Sequence, residues 1–246
     1  MKGLGLVERD EVLLEESGVL ENRRFHIVDD DGRRYNQLRN GALVRIKQEY
    51  DGARLALRFP DGTLAEDQVE LGGEITTDFY GRPVSGHLLE GPWSASLSEW
   101  AGRPLRLVQS APGAAIDRGG GQVSLVSRAS LEELGRQGGG GNPVDGRRFR
   151  MLFEVEGCGP HEEDTWVKQR VRIGEAVAYL RHDVGRCAIT TQNPDTGAPD
   201  LDTLRTIRQY RGETANENGK KHIPFGVYGE VVEPGRVAVG DAVESA

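Results

Sequence analysis

The chain has 246 residues, a formal charge of −8, 34 glycines and only two cysteines. This length supports one large β domain or two smaller ones, and Cys158 and Cys187 fit no paired metal-ligand spacing, which excludes a disulfide framework or a zinc ribbon. The negative charge excludes a non-specific nucleic-acid binder; no apolar run approaches the roughly 20 residues of a membrane span and MKGLGLVERD has no signal-peptide core, so a soluble protein in the reducing cytoplasm is expected.

In chain order, Phe25-His26-Ile27-Val28, Asp29-Asp30-Asp31-Gly32 and Arg33-Arg34-Tyr35 predict a hairpin, since Asp-Gly supplies the positive φ of a tight turn. A calcium loop would need oxygen ligands where Arg33 and Tyr35 stand. A second hairpin is written in Leu55 to Phe59, turning at Pro60-Asp61-Gly62, with β character continuing through Leu64, Val69 and Leu71. Ser94 to Trp100 reads as a short helix capped by Ser94 or Ser96 and ended by Gly102, before a strand at Leu105 to Val108. Ala111 to Gly121, rich in Gly, Pro and Ala, is a connector, and the domain boundary is placed there: 1–110 and 111–246.

Val123 to Val126 then predicts a strand leading into a helix from Arg128 to about Gln137, N-capped by Ser127 and broken at Gly138 to Gly141. Phe149, Met151, Phe153 and Val155 alternate with Arg150, Leu152 and Glu154 as one strand with a buried face. Strands follow at Val171 to Ile173, Ala176 to Tyr179 and Cys187 to Thr191, and turn chemistry at 193–197. Asp200 is the expected cap of a helix carrying Leu201, Leu204 and Ile207. A last hairpin pairs Val227 to Val232 with Val237 to Val243. The fold class is mainly β with a few helices, two β-barrels in series.

Cys187 follows Arg186, and a neighbouring cation favours the thiolate, which is both nucleophile and soft ligand; a small core residue is the other account of it. Arg147, Arg148, Arg150 and Arg186, with Arg23 and Arg24, offer guanidinium forks for phosphate or carboxylate, or else solvated strand faces. His182 near Cys187 lacks a thiol-protease signature, His161-Glu162-Glu163-Asp164 is not a zinc-hydrolase motif, and neither glycine tract is a phosphate cradle. His26, His87 and His222 read as packing residues.

The run Gly185-Arg186-Cys187-Ala188-Ile189-Thr190-Thr191-Gln192-Asn193-Pro194-Asp195-Thr196-Gly197, then 204–211, Pro224-Phe225-Gly226-Val227-Tyr228 and Pro234-Gly235 ahead of Val239-Gly240-Asp241, resembles the C-terminal signature of MOSC domains. Lys2-Gly3, Arg23-Arg24-Phe25 and Ser127 to Leu131 are similar to the N-terminal β-barrel of longer MOSC proteins, which include molybdenum cofactor sulfurase C-terminal domains and the amidoxime-reducing component. The resemblance implies an N-terminal MOSC-type barrel followed by a MOSC barrel and a molybdenum cofactor (molybdopterin). Cys187 is the implied metal ligand and catalytic residue, with Lys2, Arg24, Ser127, Arg150, Arg186 and Tyr228 as cofactor contacts. The chain departs from the relatives' R-F-R-P-N at Met151-Leu152, and it opens at Met1-Lys2 where relatives have a preceding strand, as a mis-assigned start would leave it.

The implied activity is reduction of small N-oxygenated substrates with electrons from an external donor, since no iron-sulfur cysteine cluster is present. The alternative is a carrier of a Cys187 persulfide, or of the cofactor itself. The persulfide role requires a partner cysteine desulfurase, because the pyridoxal-phosphate domain associated with the family is not in this chain.

Overall fold

A computed structural model gives the fold and describes residues 1–19, 21–111, 122–216 and 219–246. The connector expected from Ala111 to Gly121 lies, after Ala111, outside the described residues. Most of the regular secondary structure is strand, with three α-helices among the described residues, as the glycine-rich, helix-poor sequence leads one to expect. The chain divides into two compact units, and each is interrupted in sequence. The first takes Met1–Val7, the described residues of Glu21–Asp117, and Asp195–Ala198; the second takes Glu8–Leu20, Arg118–Pro194 and Pro199–Ala246 within the same limit.

The first unit holds an antiparallel five-stranded sheet in the order Arg34–Tyr35, Phe25–Asp29, Leu105–Ser110, Pro83–Glu90, Glu70–Asp78. All five residues of Phe25–Asp29 are buried, so this strand shows no in-out alternation. A second sheet joins Lys47–Tyr50, Arg54–Arg58 and Leu64–Gln68, and both expected Asp-Gly hairpins form, with Gly32 at φ 73° and Gly62 at φ 92°. The helix Trp93–Ala101 ends at left-handed Gly102 as expected. Its cap is not serine, however: Ser94 Oγ accepts from the Leu107 N–H at 3.1 Å, so the hydroxyl fastens the helix to the sheet. Trp93 is fully buried, and its indole N–H donates to Leu55 O at 3.0 Å, which removes the cost of burying that polar edge.

The second unit is built on a six-stranded sheet in the order Phe153–Val155, Val123–Ser127, Pro224–Glu233, Ala176–Gly185, Arg170–Ile173, Val243–Ser245. Leu125, Ala178, Leu180 and Val227 anchor the core on one side. A second cluster of Leu131, Leu134, Phe149, Ile207 and Phe225 forms where the helices Arg128–Gln137 and Thr203–Arg211 pack. Ser127 caps the first helix as expected, its side chain accepting from the Ser130 N–H.

Four expectations are corrected here. Phe149 to Val155 is not one strand: Gly146–Phe149 is a 3-10 turn started by Asp145, Arg150 is left-handed at φ 53°, and the strand is only Phe153–Val155. Phe149 leaves the alternation because its ring stacks on Phe225 at 4.6 Å in the second core. Cys187 to Thr191 is likewise no strand but a 3-10 turn, Ala188–Thr191, headed by Cys187. The third helix is capped by Asp202, not Asp200, whose carboxylate is engaged by Arg148. The last hairpin does not form, because Gly235–Ala238 pairs with Glu11–Glu15.

Candidate functional site

Strand Ala176–Gly185 delivers the chain to Arg186, whose N–H continues the antiparallel ladder by donating to Ile223 O at 2.9 Å. Cys187 is still extended, at φ −134°, before the chain folds into the 3-10 turn. Thr190 makes that fold: its N–H and its Oγ1–H both reach Cys187 O at 3.1 Å. The same hydroxyl lies 2.7 Å from Thr203 Oγ1, and both threonines are buried. Thr191 Oγ1 closes the turn on Ala188 O at 2.7 Å. The backbone of Cys187 is therefore held from beneath while its side chain, a free thiol, is exposed. An exposed thiol on a fixed backbone suits ligation of a soft metal or carriage of sulfur better than core packing.

Arg186 is occupied by the protein. Its Nε donates to Phe225 O at 2.8 Å and Nη1 to Phe149 O at 3.0 Å. Nη2 meets the Met151 sulfur at 2.8 Å and also bonds Phe225 O, and the guanidinium lies 5.1 Å from the centre of the Phe149 ring. One planar cation thus joins the Cys187 strand to the turn that ends in Arg150 and to the neighbouring strand. That neighbouring strand bulges here: Asp183 pairs with Val227 but Gly185 with Pro224, so Phe225 and Gly226 together oppose Val184. Gly226, at φ 71°, is required, because a Cβ there would sit 2.6 Å from Leu125 O and 2.9 Å from Met151 Cε. Tyr228 follows two residues on, half-buried beside His182 with ring centres 6.0 Å apart.

Beyond the turn, Arg148 grips Asp200 with two bonds of 2.7 and 3.0 Å, and Asn193 adds a third to the same carboxylate at 2.8 Å. The hydrogen bond from Arg148 holds Asp200 below the usual carboxylate range. Asp200 N–H also donates to Thr191 O at 3.1 Å, so the pair fastens the far end of the cysteine turn.

Ser127 is fully buried, its hydroxyl 2.7 Å from Ser130 Oγ, and both residues serve the buried Glu163 carboxylate. Oε1 of that carboxylate accepts from Ser127 N–H at 3.2 Å and Ser130 Oγ–H at 2.8 Å. Next to it, Arg211 Nη1 donates to His161 Nδ1 at 2.8 Å. Arginine has no acceptor, so His161 is neutral with its hydrogen on Nε2, which faces Tyr210 Oη at 3.1 Å. Burial, then the Arg211 charge, lowers His161 to about 4, and burial pushes the Tyr210 phenol up. Burial also raises the Cys158 thiol, helped by Glu163, which marks it as the less reactive cysteine.

Of the residues singled out in the sequence, Ser127, Arg150, Arg186, Cys187 and Tyr228 all belong to the second unit. Arg186 directly links the Arg150 turn to Cys187. Lys2 and Arg24 belong to the first, where Lys2 Nζ lies 5.9 Å from the Phe79 ring centre and Arg24 pairs with Glu21 at 2.8 Å. Two features have no sequence signature. Asp183 and His222 meet at 2.6 Å from far apart in the chain, and Glu163, inside an acidic run that reads as a solvated turn, is in fact buried.

A mainly β chain whose Arg-Cys-x-x-Thr-Thr run presents a free thiol on a braced turn defines a class, and the comparisons give it a family. The MOSC domain profile matches residues 114–244, and that of the MOSC N-terminal beta barrel domain matches 1–87. The chain belongs to the MOSC domain family.

It is similar to mitochondrial amidoxime-reducing component 1 of Xenopus laevis, 29% identical over 92% of this chain and 73% of that protein. It is also similar to the protein of the same name in Mus musculus, 36% identical over 48% of this chain and 35% of that one. Molybdenum cofactor sulfurase of Oryza sativa subsp. japonica is 31% identical over 46% of this chain, a stretch that spans only 14% of the rice protein. Among solved structures, the YUAD protein from Bacillus subtilis is 17% identical with a TM-score of 0.39, covering 73% of this chain and 86% of that one. No helix among the described residues is long and apolar enough to cross a membrane.

Proposed function

We propose that this chain holds a molybdenum cofactor through the Cys187 thiolate and reduces small N-oxygenated substrates. The observation that carries this reading is the exposed Cys187 on a backbone fixed by Thr190, Arg186 and the Arg148–Asp200 pair. The second unit's donor set fits such a group, since a soft thiolate suits a soft metal site and the Arg150 guanidinium suits an anionic pterin. When bound, the cofactor supplies the two-electron redox chemistry.

The protein's own residues divide that work. Cys187 provides the anchoring sulfur. Arg150 and Tyr228 are the second unit's candidate contacts, and Lys2 and Arg24 are the cations that the family resemblance assigns to the cofactor. Arg186 and Ser127 act through the backbone they hold, because the guanidinium is spent on Phe225 and Phe149 and the hydroxyl on Ser130. Reduction of an N-hydroxy group consumes two electrons and two protons and releases water, so an external electron donor is needed.

The names of the relatives support this direction, and one of them, a cofactor sulfurase, supports a second reading in which Cys187 carries a persulfide. An exposed sulfur serves that role equally. The two part on one assay. Protein from a cofactor-making host, given a chemical reductant and an N-hydroxylated amidine, is expected to yield the amidine. A Cys187 persulfide by mass without turnover would contradict the reductase.

A further inference from the structure

Asp183, Gly185 and Cys187 alternate along one stretch of chain, and His222 lies against the first two. Its Nε2 is tied down, 2.6 Å from Asp183 Oδ1 and 3.0 Å from Thr214 Oγ1, while the Thr214 hydroxyl donates to Asp183 Oδ2 at 2.7 Å. A carboxylate only accepts, so Nε2 carries the hydrogen, and Nδ1 is left without a partner among the described residues. The ring rests on Gly185, where a Cβ would come within 3.0 Å of His222 Cγ and Cδ2. A glycine at this position is what lets the imidazole pass over the strand to Asp183.

The ladder fixes what faces His222 on the other side. Gly185 pairs with Pro224, and Arg186 N–H donates to Ile223 O at 2.9 Å. The paired ladder ends there, with Cys187, still extended, next on one side and His222 next on the other. An antiparallel register continued one step past the Arg186–Ile223 bond would make 187 and 222 a non-bonded pair, a kind whose Cα atoms lie about 4.5 Å apart with side chains on one face.

We propose that His222, oriented by Asp183, is a substrate-contacting residue of the Cys187 site, its Nδ1 accepting a hydrogen bond from the hydroxyl of an N-hydroxylated substrate. This rests on the reductase reading for its substrate, but the placement stands on geometry alone. The combination of an anchored imidazole and a free ring nitrogen selects substrates that carry an N–OH donor over analogues in which that oxygen is alkylated.

Two measurements test it. In His222→Cys on a Cys158→Ser background, mild oxidation is expected to join residues 187 and 222 as a disulfide, seen by intact mass as the loss of two hydrogens and by the loss of both reactive thiols. Failure to cross-link in a folded variant overturns the placement. In cofactor-loaded protein, His222→Phe is expected to raise KM for an N-hydroxylated amidine about three- to tenfold with kcat little changed, with partial recovery in His222→Gln, whose amide oxygen can accept. An unchanged KM overturns the contact. Cross-linking in a protein whose wild type shows no turnover would strike the reductase reading and the substrate contact together, and would leave only the placement of His222.

Discussion

Thr190 is where the cysteine turn is most exposed to a single-atom test. Its hydroxyl reaches both Cys187 O and Thr203 Oγ1, and both threonines are buried. Thr190→Val keeps the volume, removes both bonds and strands the Thr203 hydroxyl, so it should cost about 1–3 kcal/mol in urea denaturation. The same variant should loosen the backbone carbonyl beneath Cys187. Cys187 itself stood out in the sequence because Arg186 precedes it and small, β-branched residues follow. Its conformation was not, since Ala-Ile-Thr-Thr reads as a strand until the Thr190 side chain is seen to fold back on the cysteine carbonyl. His222 was illegible for a different reason: its partner Asp183 is brought to it only by the strand ladder.

At the scale of elements, the site depends on how three segments are clamped. Gly226→Ala forces a side chain into a left-handed bulge 2.6 Å from Leu125 O, and should cost about 2–4 kcal/mol in chemical denaturation. The Arg148–Asp200 pair makes a second prediction. Removing the carboxylate in Asp200→Asn leaves the buried Arg148 poorly matched, at about 1–3 kcal/mol, less than a fully buried pair because Asp200 is 38% exposed. The pH dependence follows from its lowered pKa. A carboxyl depressed in the folded state stabilises fully above its ordinary range and loses that contribution as pH falls through the lowered value, so the variant's deficit should close in acid.

The hairpins at Gly32 and Gly62 and the Ser127-capped helix were plain in the sequence because local turn and cap chemistry determines them. The segment from Phe149 to Val155 misled because its alternation is real, yet Phe149 is claimed by a ring stack with Phe225 from a distant strand. The final hairpin misled because its second strand is captured by Glu11–Glu15, a partner more than 200 residues earlier that no turn signal announces.

Across the whole molecule, each unit holds a histidine that resists protonation. His26 is 1% exposed, bonded to Ser110 and Thr77 at 3.0 Å, and lowered to about 4 by burial and then by the Lys2 and Arg34 charges. His161 is lowered to about 4 in the second unit. A histidine whose folded pKa lies below its unfolded value of about 6.5 contributes full stability above that value. The contribution is lost as pH falls from there toward 4 and then levels off. Unfolding free energies from chemical denaturation between pH 7 and 4 should therefore fall by at most about 1.4 kcal/mol per pH unit for each histidine. His26→Gln should remove one share of that slope.

The family's β-rich architecture was readable from glycine frequency and turn spacing. The interrupted units were not, because Glu8–Leu20 and Asp195–Ala198 join their units through pairings and packing that no local pattern encodes.

The central claim is that Cys187 anchors molybdenum, and metal content tests it most directly. Protein purified from a cofactor-making host should contain close to one molybdenum per chain, and Cys187→Ser, folded by circular dichroism, should contain almost none. Equal molybdenum in the two proteins, or none in the wild type, would contradict it.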